Sequence, residues 1–554
     1  MSDHQPGAVV RPIVTTGGPL EKKVEAIWSE VLQREHVGPH EDFFDLGGQS
    51  LLAARLAERL RDEFGVHFSV RELYGGSTIA DITRVLSDRT TTTAEDPDQP
   101  IPVLPRRSGG PVLPSVPGEQ WFPAAVSQVG MWRGIAAKGG PALAITSGLR
   151  IRGVLDPELV EVAWNAVIAR HETLRTALVD RDGQLTQVIA EEVHDRVPVT
   201  PVRALAEFDD AARHEVDRPF PLARRPLARL RLFRLAEDDH IALLLTHHII
   251  SDARTLEVLV RDLAAGYAAA ATGTPVPLPP LPVRWVEFAA RHRERLTGPR
   301  GAELRRYWAQ RLAGVVPVDL PSDVEPPPDQ DAHDAQRGDT LVTALTPTTF
   351  QLLSELVRTY RVTSHVVGLV ALTVVLARRS RQRDIAVDVP VSFRDHSQLD
   401  DVVADFSNDV IVRSDLSADP TLAELIDATR GRLADDFAHH DLPPFLLAEH
   451  LGEQGLMDRL AEALFTAEHD PEVAPQLGPL RLEPLHPPRQ YVTRPLSVRL
   501  RHNDSGGRLI VRYRTNRFTA RRIAELVHDY LDLFREMAHH PEHRVFADSV
   551  RDVG

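Results

Sequence analysis

Three stretches near the start of the chain repeat apolar residues at helical spacing. In PLEKKVEAIWSEVLQ, Val24, Ile27, Trp28, Val31 and Leu32 fall at i, i+3, i+4, i+7 and i+8, which predicts an amphipathic helix with Pro19 in its first turn. SLLAARLAERLRDEF carries Leu52, Leu56 and Leu60 on one stripe, and STIADITRVL carries Ile79, Ile82, Val85 and Leu86. Together they predict a minimal helical bundle over 19–87. The periodicity then stops. DRTTTTAEDPDQPIPVLPRRSGGPVLPSVPGEQ, 88–120, is dense in Thr, Pro and Gly and reads as a semi-rigid linker.

From 121 onward short apolar runs alternate with longer helical patterns. LAITSGLRIRG, IALLLTHH, DIAVDVPV and RLIVRYR read as strands, and DPELVEVAWNAVIARHETL and TLEVLVRDLAAGYAAAA as helices, so this region is mixed α/β. More than 400 residues exceed what one core usually supports, and the Pro-rich GTPVPLPPLPVRW, 273–285, divides them into 121–285 and 286–554.

Composition narrows the chemistry. The absence of Cys excludes disulfides, thiolate nucleophiles and Cys-ligated zinc. A net charge of −15 disfavours nucleic acid as the main partner, because phosphate binding needs a basic surface. No apolar stretch approaches the roughly 20 residues of a membrane span. The start, MSDHQPGAVVRPIVTT, lacks a signal-peptide plan, so a cytoplasmic location is expected.

Two places carry candidate chemistry. In DFFDLGGQSLLA, Ser50 follows two glycines and opens a helix. Taken alone that position favours an N-cap, and it would also suit a phosphate-bearing group at a helix N-terminus. In LLLTHHIISDART, His247 and His248 end an apolar strand, with Asp252 beyond the turn. Neighbouring strand residues point to opposite faces, so the two imidazoles are not expected to chelate one ion, and no metal is expected. One His should face a cavity and the other should be buried, with Asp252 a buried structural anion.

DFFDLGGQSLLA, with IWSEVLQ before it and GVHFSVRELYGGSTIADI after it, resembles the carrier proteins of nonribosomal peptide synthetases. Gln49 stands where the family often has His. The resemblance implies an all-α four-helix bundle bearing 4′-phosphopantetheine on Ser50, installed by a phosphopantetheinyl transferase. HHIISDA resembles the HHxxxDG motif of condensation domains. ARHETLRT (Arg170, Arg175), QVGMWRG (Gln128, Trp132), VPVSFRD (Arg394), DFSNDVIVRSDL (Phe406, Asn408), HHDLPPF and YRTNRF are similar to further motifs of that family, in the expected order over about 121–550.

This second resemblance implies an α/β pseudo-dimer of two chloramphenicol-acetyltransferase-like subdomains around a tunnel. Through it, a donor on the carrier would meet an acceptor on another carrier protein. His248 would face the tunnel, His247 would be structural, and Asp252 would pair with Arg170. A neutral imidazole near its ordinary pKa of ~6.5 would take the proton of the attacking amine or orient that amine. The substrate itself would be loaded by a partner adenylation domain.

The chain departs from the family pattern at Ala253, where the motif has Gly, and at Ala404, Ser407 and Asp409 within the IGxFVNT motif. These departures leave open an altered activity, such as ester formation or dehydration of a carrier-bound residue, and a non-catalytic recruitment platform. Residues 112–150 lack the His-rich motif of the tandem condensing and epimerising subtype. Peptide-bond formation by a carrier–condensation didomain, with an L-configured or achiral donor residue, is the reading the motifs favour.

Overall fold

The computed structural model describes residues 18–89 with gaps between 33 and 77. It also describes 118–546 except 139–142, 326–333, 395–396, 454–455, 461, 470–479, 486–490 and 504–505. These residues divide into two compact units, one drawn from 1–98 with 361–363 and the other from 99–360 with 364–554.

In the first unit, the predicted outer helices are Pro19–Leu32 and Ile79–Arg89. Their apolar stripes turn inward: Val24, Trp28, Ile79, Ile82 and Leu86 are fully buried, as are Leu56 and Leu60 from the middle helical stretch. Trp28 packs edge-on against Phe43 at 5.2 Å between ring centroids. Thr78 caps the later helix by accepting the Asp81 N–H at 3.1 Å. Ser50 lies outside the described residues.

The second unit contains fourteen strands among the described residues, named here in chain order: β1 (Glu119–Pro123), β2 (Ala144–Arg152), β3 (Thr176–Arg181), β4 (Gln184–Ala190), β5 (Val199–Pro201), β6 (Ala228–Ala236), β7 (Asp239–His247), β8 (Gly338–Ala344), β9 (Asp384–Ser392), β10 (Ser407–Asp415), β11 (Ala463–His469), β12 (Arg481–Leu485), β13 (Leu496–Asn503) and β14 (Gly506–Arg514). They build a five-stranded sheet, β12-β2-β7-β6-β5, a six-stranded sheet, β10-β9-β11-β13-β14-β8, and a small sheet, β1-β4-β3. β12 comes from late in the chain, yet it completes the earlier sheet by pairing antiparallel with β2.

β7 is the axis of the first sheet. Every residue from Asp239 to His247 is buried, as expected of an apolar run covered on both faces. Its antiparallel pairing with β2 runs from Arg152↔Asp239 to Ala144↔His247. Arg150 grips Asp239 with two hydrogen bonds, of 2.9 and 2.7 Å, at the end remote from the histidines. The helix Ala253–Ala271 leaves from the histidine end and packs on the helix Pro157–Arg170. Gly266 there meets Ala163 so closely that an added Cβ would lie 3.1 Å from the alanine methyl.

In the second sheet, β9 and β10 pair antiparallel over nine residues, and the buried helix Ser364–Ser380 packs against β9 and β11. That helix is apolar on nearly all sides because it crosses the protein interior. No single helix among the described residues is long and apolar enough to cross a membrane. A cluster of Ala125, Trp285, Phe288, Phe393, Ala404 and Phe406 joins residues from before and after the Pro-rich segment. Phe406 makes aromatic contacts with Trp285 and Phe288, at 5.0 and 4.9 Å between centroids.

Candidate active site

β7 ends at His247, and the chain turns through a short 3-10 segment, His248–Ile250, before Asp252 caps the next helix. The turn is pinned at both ends. The His248 N–H donates to the Leu143 carbonyl at 2.7 Å, and the Ser251 N–H donates to the His248 carbonyl at 3.1 Å. The Ser251 hydroxyl donates to the His247 carbonyl at 3.0 Å. From the helix Val126–Lys138, Gln128 accepts the Ala125 N–H and donates to the Ile249 carbonyl at 3.3 Å. The Gln128 motif thus acts as a brace for the histidine loop.

The two histidines separate as the strand geometry demands. His247 is 4% exposed, and its Nδ1 accepts the Ile249 N–H at 3.0 Å. Burial, helped by the neighbouring His248, pushes its imidazole down to about 3, so it is neutral and structural. His248 keeps 36% of its side-chain surface, and its Nδ1 lies 3.7 Å from Asp405 Oδ2. Burial pushes this imidazole down, but the Asp405 carboxylate, aided by Asp409, overcomes it and carries the group up to about 9. The expected neutral imidazole near its ordinary value is therefore corrected: at neutral pH His248 is a cation, because an acidic side chain faces it.

Asp252 is buried as expected, but its partner is not Arg170. Arg394, immediately after β9, binds Asp252 bidentately through Nε at 2.9 Å and Nη2 at 3.0 Å. The same carboxylate accepts the Thr255 N–H at 2.8 Å, as a helix cap, and the Phe406 N–H at 3.4 Å. Arg394 also donates to the Leu399 carbonyl and lies 4.2 Å from the centre of the Phe406 ring. Asp252 therefore ties the histidine loop to the second sheet.

Arg170 is instead committed to Asp262, one helical stretch farther on, with His171 Nε2 at 2.8 Å from the same carboxylate. Burial raises the Asp262 carboxyl, but hydrogen bonds from His171 and Arg170 outweigh it and hold the group at about 2. Sequence spacing could not separate the two aspartates as partners for Arg170. They lie ten residues apart on one loop-helix unit, and only the helix orientation brings Asp262 to the end of the helix Pro157–Arg170.

The other motif residues act as ties. Arg175 donates to the Ala190 and Glu191 carbonyls at the end of β4. Asn408 donates to the His440 and Leu442 carbonyls, at 2.6 and 3.1 Å, fixing the HHDLPPF loop. Trp132 packs, partly buried, on the core of the first sheet. Gly130, on the same helix as Trp132, faces Phe445 of that loop so closely that an added Cβ would lie 2.3 Å from the ring. The Thr173 and Thr255 hydroxyls donate to the Val403 and Ala404 carbonyls, at 2.6 and 3.0 Å, so two elements from before the Pro-rich segment grip the 403–404 segment that follows it.

Ala253 is exposed at the first turn of its helix and does not have a positive φ, so no glycine is needed there. Of the other departures, Ala404 is buried beside Phe406, and Asp409 pairs with Arg494 at 2.8 Å. Sequence reasoning missed Asp405. Its signal was a lone acid between two residues that became fully buried, Ala404 and Phe406.

Among the described residues, His540, Glu542 and His543 bring metal-ligand-type atoms within 4.8 Å of one another, in the exposed region just after the last helix and far along the chain from His248.

Residues 120–550 match the condensation-domain family, and residues 22–86 match the phosphopantetheine attachment site family. One polypeptide of the linear gramicidin synthase of Brevibacillus parabrevis is 33% identical over 441 residues, covering 78% of this chain and 8% of that protein. Another polypeptide of the same synthase is 28% identical over 550 residues, covering 97% of this chain and 10% of that protein. Phosphinothricin tripeptide synthetase PhsB of Streptomyces viridochromogenes is 31% identical over 438 residues, covering 77% of this chain and 35% of that protein. The chain thus spans about a third or less of the length of these relatives.

Among solved structures, the X-domain from teicoplanin biosynthesis superposes with a TM-score of 0.70 at 24% identity, covering 76% of this chain and 96% of that one. The first condensation domain of the calcium-dependent antibiotic synthetase superposes with a TM-score of 0.63 at 19% identity, covering 77% and 98%. These two likenesses bear on the fold. The match over 120–550 shows that this chain belongs to the condensation-domain family, and the match over 22–86 that it carries a phosphopantetheine-attachment domain ahead of it.

Proposed function

We propose that the chain is a carrier–condensation didomain of a nonribosomal peptide synthetase that forms an amide bond. Ser50 bears the 4′-phosphopantetheine arm, which when attached supplies the donor acyl group as a thioester. The acceptor is an aminoacyl thioester on a second carrier protein. Residues 19–87 are the carrier, 88–120 the linker, and 121–285 and 286–554 the two halves of the condensation domain. A phosphopantetheinyl transferase modifies Ser50, and an adenylation domain elsewhere in the assembly selects the amino acid.

The observation that carries this reading is His248. It is the partly exposed member of the histidine pair, on a loop whose every other polar anchor is buried and bonded. Its Nδ1 edge faces Asp405, which leaves Nε2 for the reacting groups. An amine attacking a thioester needs alignment, stabilisation of charge on the carbonyl oxygen, and transfer of one proton from nitrogen to the departing sulfur. A positioned imidazole serves the proton and charge demands, typically worth roughly 10² to 10⁴-fold, and tethering both reactants supplies alignment. A thioester is already activated, so no nucleotide is consumed in this step.

The test is intact-protein mass spectrometry of the full chain after loading a donor on Ser50 and adding an acceptor aminoacyl thioester. The native chain should lose the donor mass as the acceptor gains it without loss of water. His248→Ala should slow this transfer by roughly 10² to 10⁴-fold while Ser50 is still modified. Undiminished transfer in that variant would remove His248 from the mechanism, and loss of water from the product would favour the dehydrating alternative.

A further inference from the structure

We propose that Asp405 is a positioning residue for His248, held in place by Ser407, and that it fixes which ring nitrogen meets the substrate and sets the charge of the imidazole. The inference rests on the reading of His248 given above. It concerns two positions whose residues the family pattern does not dictate. Position 405 is the one the IGxFVNT motif leaves open, and position 407 is Ser where that motif has Val.

The geometry is specific. Asp405 is 2% exposed, yet within ion-pair distance its basic neighbour among the described residues is His248, 3.7 Å from Nδ1 to Oδ2. Its other oxygen, Oδ1, accepts both the Ser407 hydroxyl and the Ser407 N–H, the latter at 3.0 Å. Ser407 therefore occupies one carboxylate oxygen and turns the other toward the ring. A buried carboxylate without a guanidinium or ammonium is costly, and a cationic imidazole is the group placed to offset it.

The neighbouring charges are otherwise satisfied. Asp409 is paired with Arg494, which also binds the buried Asp388. Burial and Asp409 raise the Asp388 carboxyl to about 7, against Arg494, whose guanidinium is shared between the two acids. His247 is neutral, and Asp252 is matched by Arg394. Against its burial, Asp405 is the foremost of the groups that raise His248, ahead of Asp409, and together they carry that imidazole to about 9.

The experiment reads His248 itself in the full chain, without requiring turnover. Carbethoxylation by diethylpyrocarbonate attacks neutral imidazole, and peptide mass spectrometry assigns the rate to His248 across pH 5.5 to 9.5. In the native protein the reaction at His248 should rise toward a midpoint near 9. In Asp405→Asn, with burial no longer opposed by that carboxylate, the midpoint should fall to ~6.5, the ordinary histidine value, or below it. Ser407→Val, which keeps the carboxylate but frees it to turn, should give an intermediate midpoint and also serves if Asp405→Asn does not fold.

With both reactants loaded, the limb of the transfer rate that follows His248 should shift by the same interval in each variant, a change that a merely structural role for Asp405 does not produce. Identical midpoints in all three proteins would overturn the proposal. If the native chain fails to join donor and acceptor, the functional reading falls, while the carbethoxylation midpoints still decide the role of Asp405.

Discussion

Two short segments meet at the site and are built on opposite principles. In 247–252 every buried polar side chain except the His248 Nδ1 edge has a partner: His247 with the Ile249 N–H, Ser251 with the His247 carbonyl, and Asp252 with Arg394, Thr255 and Phe406. In 404–409 the acids are unevenly served. Asp409 has Arg494, but Asp405 has one oxygen bonded to Ser407 and the other facing an imidazole beyond hydrogen-bond distance. The saturated segment keeps the motif's charged residues, whereas the unsaturated one is where the sequence departs. Complete satisfaction makes a scaffold, because every change leaves a buried group stranded. Incomplete satisfaction leaves an electrostatic field that acts on a neighbour, and substitution there can retune chemistry without collapsing the fold.

The severest way to break this contrast is at the hub the two segments share. Asp252→Ala strands the Arg394 guanidinium in the interior and removes a helix cap. It should cost about 3–5 kcal/mol of stability, the usual penalty for halving a buried ion pair, seen as a large drop in the denaturant midpoint. Asp405→Asn should leave that midpoint much closer to native, and equal losses in the two variants would erase the distinction.

The next test separates the two histidines by pH. His247 binds a proton more readily unfolded than folded, so its contribution is complete above ~6.5 and is lost as pH falls toward about 3. His248 has the opposite sign: its contribution is complete below ~6.5 and is lost as pH rises through about 9. His247→Asn, whose side-chain oxygen can still accept the Ile249 N–H, should therefore flatten the acid limb of stability against pH and leave the alkaline limb alone. Denaturant midpoints between pH 4 and 9.5 check both limbs, and an unchanged acid limb would show that His247 is not held neutral by burial.

The smallest effect is expected at Ala253. The residue is exposed and needs no glycine conformation, so Ala253→Gly should lower stability by no more than about 1 kcal/mol, the helix-propensity difference. Transfer rates should stay within a few-fold of native. A large gain in transfer would instead assign the methyl group to the acceptor path.

Much of this architecture was legible in the chain. Stripes at helical spacing predicted Pro19–Leu32 and the buried faces of Val24, Trp28, Ile79 and Leu86. The run IALLLTHH predicted β7, and alternation across its end predicted one buried and one accessible histidine, the resemblance choosing His248 as the accessible one. What periodicity reports is burial and local geometry, since both follow from which residues share a face. Partner choice lies beyond it. The resemblance paired Asp252 with Arg170, whereas the docking of two sheets gave the bond to Arg394, 142 positions away.

The pairing of β12 with β2 was likewise invisible, because strand partners far apart in sequence leave no pattern within either segment. By itself, then, the sequence determined the element types, the inward faces and the candidate histidine, all properties of short stretches. The tertiary structure alone decided that Asp252 binds Arg394 and that Asp405 lies against His248. An ion pair's strength and an imidazole's charge depend on distance and burial, and for residues so far apart only the folded chain sets those.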